Sequence, residues 1–205
     1  MTDTAAADLK AEIERLRAEV ETLRLRAEAA EAAADHDVLT PALNRRGFVA
    51  AMQQTMAYCI RYDAPAVLLY LDLDGFKPVN DKHGHQAGDA LLREVARRLD
   101  VCIQPGDDAF RIGGDEFVVL LSRVRQRSDV SEVARRLLVS LSEPYVLDTA
   151  TVSIGASIGI AFAESSNADL DYLASTADAA LYDAKRSGRG TFRFAKDASS
   201  LRLIA

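Results

Sequence analysis

Long hydrophobic runs and cysteines are scarce in this sequence. No apolar run approaches the ~20 residues that a membrane-spanning helix needs, and the N-terminus lacks the apolar core of a secretory signal. Cys59 and Cys102 have neither zinc-site nor redox-motif spacing, which indicates two buried thiols in a reducing compartment. We therefore predict no membrane span and a cytoplasmic location.

Basic charge and the common nucleotide-binding and zinc-binding patterns are also missing. The formal net charge of −6 argues against a general nucleic-acid binder, which normally carries a basic face. There is no P-loop pattern, and His83 and His85 have no further Cys or His nearby to complete a tetrahedral zinc site. A bound nucleotide would therefore be held locally, by metal and a few lysines or arginines.

Residues 1–36 contain no glycine, proline, phenylalanine, tyrosine or tryptophan. Their apolar residues recur at alternating steps of four and three, which is the spacing of a heptad repeat. The a positions are Ile13, Val20, Ala27 and Ala34, and the d positions are Leu9, Leu16, Leu23 and Ala30. β-Branched residues at a with leucine at d favour a parallel two-stranded coiled coil.

The charges beside this seam support the same interpretation. In a parallel in-register dimer, each g residue meets the e residue five positions later on the partner helix. All three such pairs have opposite signs: Glu12 with Arg17, Glu19 with Arg24, and Arg26 with Glu31. A single charged helix lying on the domain would not require that agreement. We predict a homodimer through the coil, with a regulatory protein that binds the coil as a further partner.

The segment 37–44 separates this helix from the rest of the chain. Pro41 disfavours helical geometry at Thr40, so we interpret the segment as a hinge between rod and domain. A helix is predicted to follow over 45–62 and to end before Pro65.

The near-continuous apolar run 66–73 indicates a central strand covered on both faces. Because strand side chains alternate, Asp72 and Asp74 lie on one face, opposite Leu73. A carboxylate at the mouth of a buried strand is costly unless something offsets its charge, typically a cation.

A second acidic feature is the Gly113-Gly114-Asp115-Glu116 centre of the stretch 110–121, which has an apolar arm on each side. The arms predict a β-hairpin, because paired glycines supply the positive φ of a tight turn. Turn carboxylates are usually just solvated. Here the glycines leave backbone N–H groups open to a phosphate and its cation.

The remaining segments predict helices and strands in one α/β domain with a mixed sheet. They are a polar loop or short helix over 75–88, helices over 89–99, 130–141 and 170–185, a turn at 104–107, and strands over 145–147, 152–162 and 191–194. We place the domain at 37–195, after the coiled-coil helix at 1–36 and before a C-terminal tail at 196–205.

Asp72, Asp74 and Asp115 come from a strand end and a hairpin tip that would be neighbours in one sheet. A few hard oxygen ligands that leave positions for water and phosphate suit Mg²⁺ bound with a nucleoside triphosphate. Two ions about 3.5–4 Å apart would activate an attacking hydroxyl and stabilise a leaving pyrophosphate. The spacing thus predicts a metal-dependent nucleotidyl-transfer site.

From about Asp37 to Phe194 the chain resembles the GGDEF family of bacterial diguanylate cyclases. The segments that carry the resemblance are Asp72-Leu73-Asp74-Gly75-Phe76 to Asp81, Gly84-His85 to Gly88-Asp89, Arg111 to Phe117, Ser153 to Gly159, and Ala177 to Lys185. The resemblance implies condensation of two GTP into cyclic di-GMP and two pyrophosphates, across a dimer of half-sites. It also implies a mixed central sheet flanked by helices, like that of class III nucleotide cyclases.

The resemblance assigns the metal-binding and catalytic roles by position. Asp72, Asp115 and Glu116 would be the catalytic residues. Asp72 and Asp115 would bind Mg²⁺, assisted by the Leu73 carbonyl, while Glu116 would support metal binding or activation of the 3′-hydroxyl. The site would hold two ions, with Mn²⁺ as a substitute.

The resemblance also assigns substrate contacts. Asn80 and Asp89 would read guanine, because an amide offers a donor and an acceptor and a carboxylate accepts from the guanine N1–H and amino group. The backbone N–H groups of the loop formed by Gly75, Phe76 and Lys77, together with Lys185 and Arg189, would hold the phosphates. Gly113 and Gly114 would be the remaining substrate-binding residues.

Two positions depart from the family pattern. Pro41-Ala42 stands where a Gly-Leu pair is expected, which concerns the hinge and not the chemistry. Gln104 stands where many members begin an Arg-x-x-Asp product-binding turn. A neutral amide cannot replace the charged, bidentate contact of a guanidinium with phosphate, so we predict that the primary product-inhibition site is lost.

Other functions compete with an active dimeric diguanylate cyclase. The main alternative is a catalytically silent GTP- or cyclic di-GMP-binding module that acts through its coil, and another is a structural coiled-coil adaptor. Both are disfavoured because no expected catalytic residue is missing. A cyclase that makes an adenine-containing dinucleotide is disfavoured while Asp89 is present.

Overall fold

The computed structural model describes residues 2–62, 65–122, 124, 126–148, 150–163 and 169–196. The chain divides into two units on either side of the Asp35–His36 bond. The first is one helix, α1 (Thr2–Ala34). The described part of the second has the order α2 (Arg45–Tyr62), β1 (Ala66–Asp74), α3 (Phe76–His83), α4 (His85–Cys102), β2 (Asp108–Gly113), β3 (Glu116–Leu121), α5 (Arg127–Ser142), β4 (Tyr145–Val146), β5 (Thr151–Val152), β6 (Gly155–Ala163), α6 (Leu170–Arg186) and β7 (Phe192–Phe194). None of the described helices is long and apolar enough to cross a membrane.

In the single chain, α1 leaves much of its apolar surface in solvent. The exposed fractions are 42% for Ile13, 46% for Leu16, 64% for Val20 and 56% for Leu23. Its described polar contacts are local, such as the 2.7 Å ion pair between Arg15 and Glu12. A lone helix cannot bury its own apolar stripe, so α1 has no core of its own.

The second unit is built on a five-stranded sheet in the order β2-β3-β1-β6-β7. Neighbouring strands are antiparallel except β6 and β7, which are parallel. The predicted mixed sheet is therefore confirmed. The central strand β1 is covered on both faces, and Leu68 and Leu69 are both fully buried. One face packs on α3, α4 and α5, and the other on α2 and α6.

The close packing of α6 on β6 depends on Gly159. A Cβ atom at this position would lie 2.0 Å from the Ala177 carbonyl oxygen and 2.3 Å from the Leu181 backbone nitrogen. The missing side chain therefore lets the helix lie directly on the sheet. This contact brings the last turn of α6, with Lys185, to the end of β1 where the acidic residues lie.

The segment 75–88, predicted as a polar loop or short helix, contains a short helix, but its last residues belong to the next helix. That segment forms α3 and the first turn of α4, and the two helices are separated by Gly84 at φ +82°. The helix predicted over 89–99 begins four residues earlier and extends to Cys102. Helix α4 continues through Gly88, a residue type that disfavours helix interiors, which explains why the sequence pattern misplaced its start.

The strand predicted over 152–162 is in fact two strands. Val152 in β5 pairs with Tyr145 of β4 in a small separate hairpin, whereas Gly155 begins the long pairing of β6 with β1. The single apolar run forms two strands because its first part pairs with β4 and its second part pairs with β1. The predicted tail at 196–205 lies outside the described residues except for Lys196.

The segment 37–44 differs from the hinge interpretation, because it is folded into the second unit. The Leu43 N–H donates to the Ala109 carbonyl at 3.0 Å, and the Arg111 N–H donates to the Leu43 carbonyl at 2.7 Å. Thr40 and Ala42, on either side of Pro41, are each 6% exposed. Pro41 therefore lies within the folded domain, two residues before Leu43, which is hydrogen-bonded to β2.

Candidate active site

Two carboxylates predicted for the site face each other between paired strands, near one end of the sheet. The pairing of β1 with β3 places Asp72 directly opposite Glu116. Side-chain alternation puts both on the face that packs against α2 and α6. Directly opposed strand residues have Cβ atoms about 4.5–5.5 Å apart, and like charges in this arrangement repel each other. The pair therefore needs a cation.

Lys185 supplies positive charge to this pair in the structure. Its Nζ atom lies 2.7 Å from Oδ2 of Asp72, and both side chains are partly buried. Lys185 reaches the carboxylate from the last turn of α6. The family resemblance assigns Lys185 to the phosphates, and its contact with Asp72 was not predicted.

Tyr70 is a further residue of this face that was not predicted. Its hydroxyl lies 3.4 Å from Oε2 of Glu116. Burial and the neighbouring Glu116 carboxylate raise the pKa of Tyr70 to about 12, so the phenol stays protonated at neutral pH and donates to Glu116. Strand alternation could have found it, because Tyr70 and Asp72 are two residues apart on β1.

The expected grouping of Asp72, Asp74 and Asp115 is not seen. Asp74 Oδ2 accepts hydrogen bonds from the Ser157 hydroxyl at 2.8 Å and from the Gly190 N–H at 3.1 Å. Arg189 Nε lies 3.6 Å from the other oxygen, Oδ1. These contacts satisfy a largely buried carboxylate, as buried polar groups require. They also connect the turn after α6 to the end of β1.

The hairpin turn is held by Arg111. Its Nε and Nη2 atoms donate to the Gly114 carbonyl at 3.0 and 2.9 Å, and Nη1 donates to Asp37 Oδ1 at 3.0 Å. Gly114 has φ +52°, whereas Gly113 is not in the positive region, so one glycine and not the pair supplies the predicted turn conformation. Asp115, the next residue, is half-buried at the tip.

The Asp37 carboxylate is part of the same arrangement. Burial alone raises the pKa of Asp37, but hydrogen bonds from Thr40 and from Arg111 outweigh it and lower the pKa overall. Because the folded-state pKa is depressed, the stabilisation is present at neutral pH and is lost as the pH falls through the lowered value. The segment 37–40 and the acidic turn are therefore linked through Arg111.

An open cleft lies beside this turn. It has a volume of about 770 Å³ and is lined in part by Gly113, Gly114 and the arginines Arg45, Arg46 and Arg111. The lining also contains Asp37, which pairs with Arg111, so Arg45 and Arg46 supply the positive charge that suits an anionic ligand next to the exposed glycines. Arg45 and Arg46 had no predicted role in the site.

The two residues predicted to read guanine lie on neighbouring helices. Asn80 is on α3, Asp89 is on α4, and both are half-buried. A Cβ atom on Gly88 would lie 1.8 Å from Oδ1 of Asn80. The glycine therefore makes room for the Asn80 side chain beside Asp89. The structure brings both residues to the junction of the two helices.

The predicted phosphate-binding loop is the start of α3. Gly75 is the residue before the helix and has φ +90°, with no side chain capping the first turn. Phe76 is buried in the core at 8% exposure, whereas Lys77 is exposed. Uncapped N–H groups at a helix N-terminus attract anions, so this turn can bind phosphate through its backbone.

The residues fit a divalent metal that arrives with a nucleotide. Within the described ranges, no three His, Cys, Asp or Glu side chains are grouped to hold a metal by themselves. Mg²⁺ is typically bound by one or two carboxylates together with substrate phosphates, and not by an all-protein cage. Asp72 and Glu116, with Asp115 in the adjoining turn, are carboxylates that would supply that smaller set.

These features define a mixed-sheet α/β domain with opposed carboxylates at its central strand. The family model for the diguanylate cyclase GGDEF domain matches residues 34–191. The chain therefore belongs to the GGDEF-domain family. Diguanylate cyclases of this family generally use a divalent metal.

Two relatives from Pseudomonas aeruginosa illustrate the sequence similarity. The bifunctional diguanylate cyclase/cyclic di-GMP phosphodiesterase MucR is 41% identical over 159 residues, which are 78% of this chain and 23% of MucR. The diguanylate cyclase TpbB is 35% identical over 164 residues, which are 80% of this chain and 38% of TpbB. The chain thus spans well under half the length of each.

Solved structures show the same fold. One is the coiled coil and GGDEF domain of DgcB from Caulobacter crescentus in complex with c-di-GMP, with a TM-score of 0.80 at 31% identity. The match covers 91% of this chain and 99% of the DgcB chain. Another is the diguanylate cyclase SiaD of P. aeruginosa in complex with its activator SiaC, with a TM-score of 0.77 at 32% identity. The match covers 90% of this chain and 71% of the SiaD chain.

Proposed function

We propose that this chain is a diguanylate cyclase that condenses two GTP into cyclic di-GMP and two pyrophosphates. The observation that carries the proposal is the opposed pair of Asp72 and Glu116, next to Asp115 in a turn held by Arg111. Asn80 and Asp89 at the α3–α4 junction support guanine as the base. We further propose a cytoplasmic enzyme with the domain at 37–195 and the coiled-coil helix at 1–36.

In the proposed mechanism each half-site binds one GTP. Asn80 and Asp89 hydrogen-bond the guanine edge, and a base that lacks this pairing leaves them unpaired, which disfavours adenine. The N–H groups at the start of α3 bind phosphate oxygens, together with Lys77, Lys185 and Arg189.

The bond changes are the same in both half-sites. The 3′-oxygen of one GTP attacks the α-phosphorus of the other. The bond from that phosphorus to the oxygen that bridges the α- and β-phosphates breaks, and pyrophosphate leaves. Asp72, Asp115 and the Leu73 carbonyl would hold Mg²⁺, with two ions per site and Mn²⁺ as a substitute. The metal supplies activation of the hydroxyl and stabilisation of the leaving group. Glu116 supports that binding or the loss of the 3′-proton.

A dimer follows from this chemistry, because one half-site holds half of the reactants. Two domains must face each other, and dimerisation raises their effective concentration to roughly the millimolar range. The exposed heptad seam of α1 suits a parallel coiled coil for this purpose. Its exposed outer face also leaves room for a regulatory protein, and the relative SiaD has been solved in complex with its activator SiaC.

The coil can be tested with two leucines of one helix. Leu23 is at a d position and Leu25 is at the outward f position, and they are 56% and 58% exposed in the single chain. We expect Leu23→Asp to weaken dimerisation by about 100-fold or more, because a charge enters the seam of both helices. We expect Leu25→Asp to leave it within about threefold.

Analytical ultracentrifugation measures the dimer dissociation constant, and GTP turnover is followed on the same samples. In Leu23→Asp we expect the specific activity to fall and to become strongly dependent on protein concentration. Equal behaviour of the two variants would show that the predicted seam does not form the dimer.

Product inhibition is expected to be weak. Gln104 is exposed and starts a turn in which its N–H donates to Asp107 Oδ2 at 3.2 Å, so the turn keeps its acidic member but lacks the guanidinium. Cyclic di-GMP added at micromolar concentration should leave the initial rate of pyrophosphate release unchanged. Strong inhibition in this range would show that the product binds without an arginine at position 104.

The choice of nucleotide tests the proposal against the silent binding module. The chain is incubated with Mg²⁺ and either GTP or ATP, and products are separated by chromatography. We expect cyclic di-GMP from GTP and no cyclic dinucleotide from ATP. A dimeric protein that binds GTP but leaves it unreacted would support the binding module instead.

A further inference from the structure

Lys185 and Asp72 are in contact, although the proposed function assigns these two residues to different ligands. Nζ of Lys185 lies 2.7 Å from Asp72 Oδ2, with the side chains 32% and 18% exposed. The proposed function assigns Asp72 to the metal and Lys185 to the phosphates. A lysine ammonium and a divalent ion cannot share one carboxylate oxygen at such short range without strong mutual repulsion.

The nucleotide-free site needs a countercharge at this point. Asp72 is directly opposite Glu116 in the sheet, and Asp115 adjoins Glu116 in the turn. Asp72 and Glu116 are thus opposed near the ends of two paired strands, and Asp115 adds a third negative charge in the adjoining turn. Their repulsion is relieved by a cation, and Lys185 is the residue seen in contact with Asp72.

The neighbouring cation Arg189 has a different position. Its Nε lies 3.6 Å from Asp74, and the same carboxylate is fixed by Ser157 and by the Gly190 N–H. Arg189 is 64% exposed, so its charge is largely screened by solvent. Arg189 therefore belongs to the anchored turn after α6, whereas Lys185 occupies the position beside the proposed metal ligand.

We propose that Lys185 is an exchangeable counterion of the active site. In the nucleotide-free protein it neutralises Asp72 and disfavours binding of a divalent ion alone. When GTP and its metal enter together, Asp72 passes to the metal and the ammonium passes to a phosphate, so no charge is left unpaired. Metal and nucleotide binding are thereby coupled through one side chain. This inference rests on the proposed function.

The exchange is tested without nucleotide by titrating the full chain with Mn²⁺ alone. The electron paramagnetic resonance signal of free aqueous Mn²⁺ gives the bound fraction. We expect Lys185→Met to bind Mn²⁺ at least about fivefold more tightly than the parent, because the competing charge is gone. Lys185→Gln is a second neutral variant and should behave in the same way.

Two matched variants separate this effect from a general loss of positive charge. Lys185→Arg keeps the charge, and we expect its Mn²⁺ affinity to stay within about twofold of the parent. Arg189→Met removes a nearby charge that does not contact Asp72, and we also expect a change below about twofold. Circular dichroism confirms that each variant is folded.

An unchanged or weaker Mn²⁺ affinity in both neutral variants would overturn the inference. Tighter binding that persists when Asp72→Asn is added to Lys185→Met would also overturn it, because the ion would then lie elsewhere. If the parent makes no cyclic di-GMP while Lys185→Met still binds Mn²⁺ more tightly through Asp72, the proposed function fails and the counterion role stands.

Discussion

Replacing Asp72 by Asn is expected to lower the rate of cyclic di-GMP formation by at least about 1,000-fold. The amide cannot supply the negative charge that Asp72 would offer to a metal, and Glu116 across the strand pair cannot replace it alone. A loss of several kcal/mol of transition-state stabilisation corresponds to a reduction of this size. The initial rate with GTP and Mg²⁺ measures it.

The fold of Asp72→Asn should be nearly unchanged. The 2.7 Å contact with Lys185 is partly exposed, and ion pairs of this kind contribute at most about 1 kcal/mol. We expect the melting temperature to stay within about 4 °C of the parent. Asp100→Asn, an exposed change on α4, is the matched control and should retain full activity. Comparable activity of both variants would show that Asp72 does not serve the reaction.

Gly159→Ala is expected to destabilise the domain by about 3 kcal/mol or more. The added Cβ would lie 2.0 Å from the Ala177 carbonyl oxygen and 2.3 Å from the Leu181 nitrogen. Both are backbone atoms of α6, so no side-chain rotation relieves the overlap and the helix must move off the sheet. We expect a fall of about 6–12 °C in the melting temperature.

A second glycine of the same strand is the control. A Cβ on Gly155 would lie 3.5 Å from the Asp74 Cβ, which is an ordinary van der Waals contact. We therefore expect Gly155→Ala to change the free energy of unfolding by less than about 1 kcal/mol. Urea unfolding of both variants gives the comparison. Equal stability would show that α6 does not lie on β6 as closely as described.

The strands that carry the acidic residues were predictable because their short apolar runs favour buried strands. The run that became β1 is almost continuously apolar, which is typical of a central strand covered on both faces, and the paired glycines mark the hairpin turn. Alternation then placed Asp72 on a defined face. The start of α4 was not predictable, because Gly88 resembles a helix breaker when the Asn80 side chain it accommodates is unknown.

Partners that come from distant segments could not be predicted. Alternation places Asp74 on the same face as Asp72, which suggested a third metal ligand, but it does not show that the turn at Gly190 packs there. The contact of Arg111 with Asp37 likewise depends on how the segment 37–44 lies along β2. Such contacts are set by tertiary packing and leave no periodic signal in the sequence.

Mass spectrometry of the products is the most direct test of the central claim. The parent and Asp115→Asn are incubated with GTP and Mg²⁺ under identical conditions, and pyrophosphate is measured in parallel. We predict cyclic di-GMP with two pyrophosphates per product from the parent, and neither from Asp115→Asn. A folded, dimeric parent that forms no cyclic di-GMP, or an Asp115→Asn variant that forms it at the parent's rate, would contradict the proposed function.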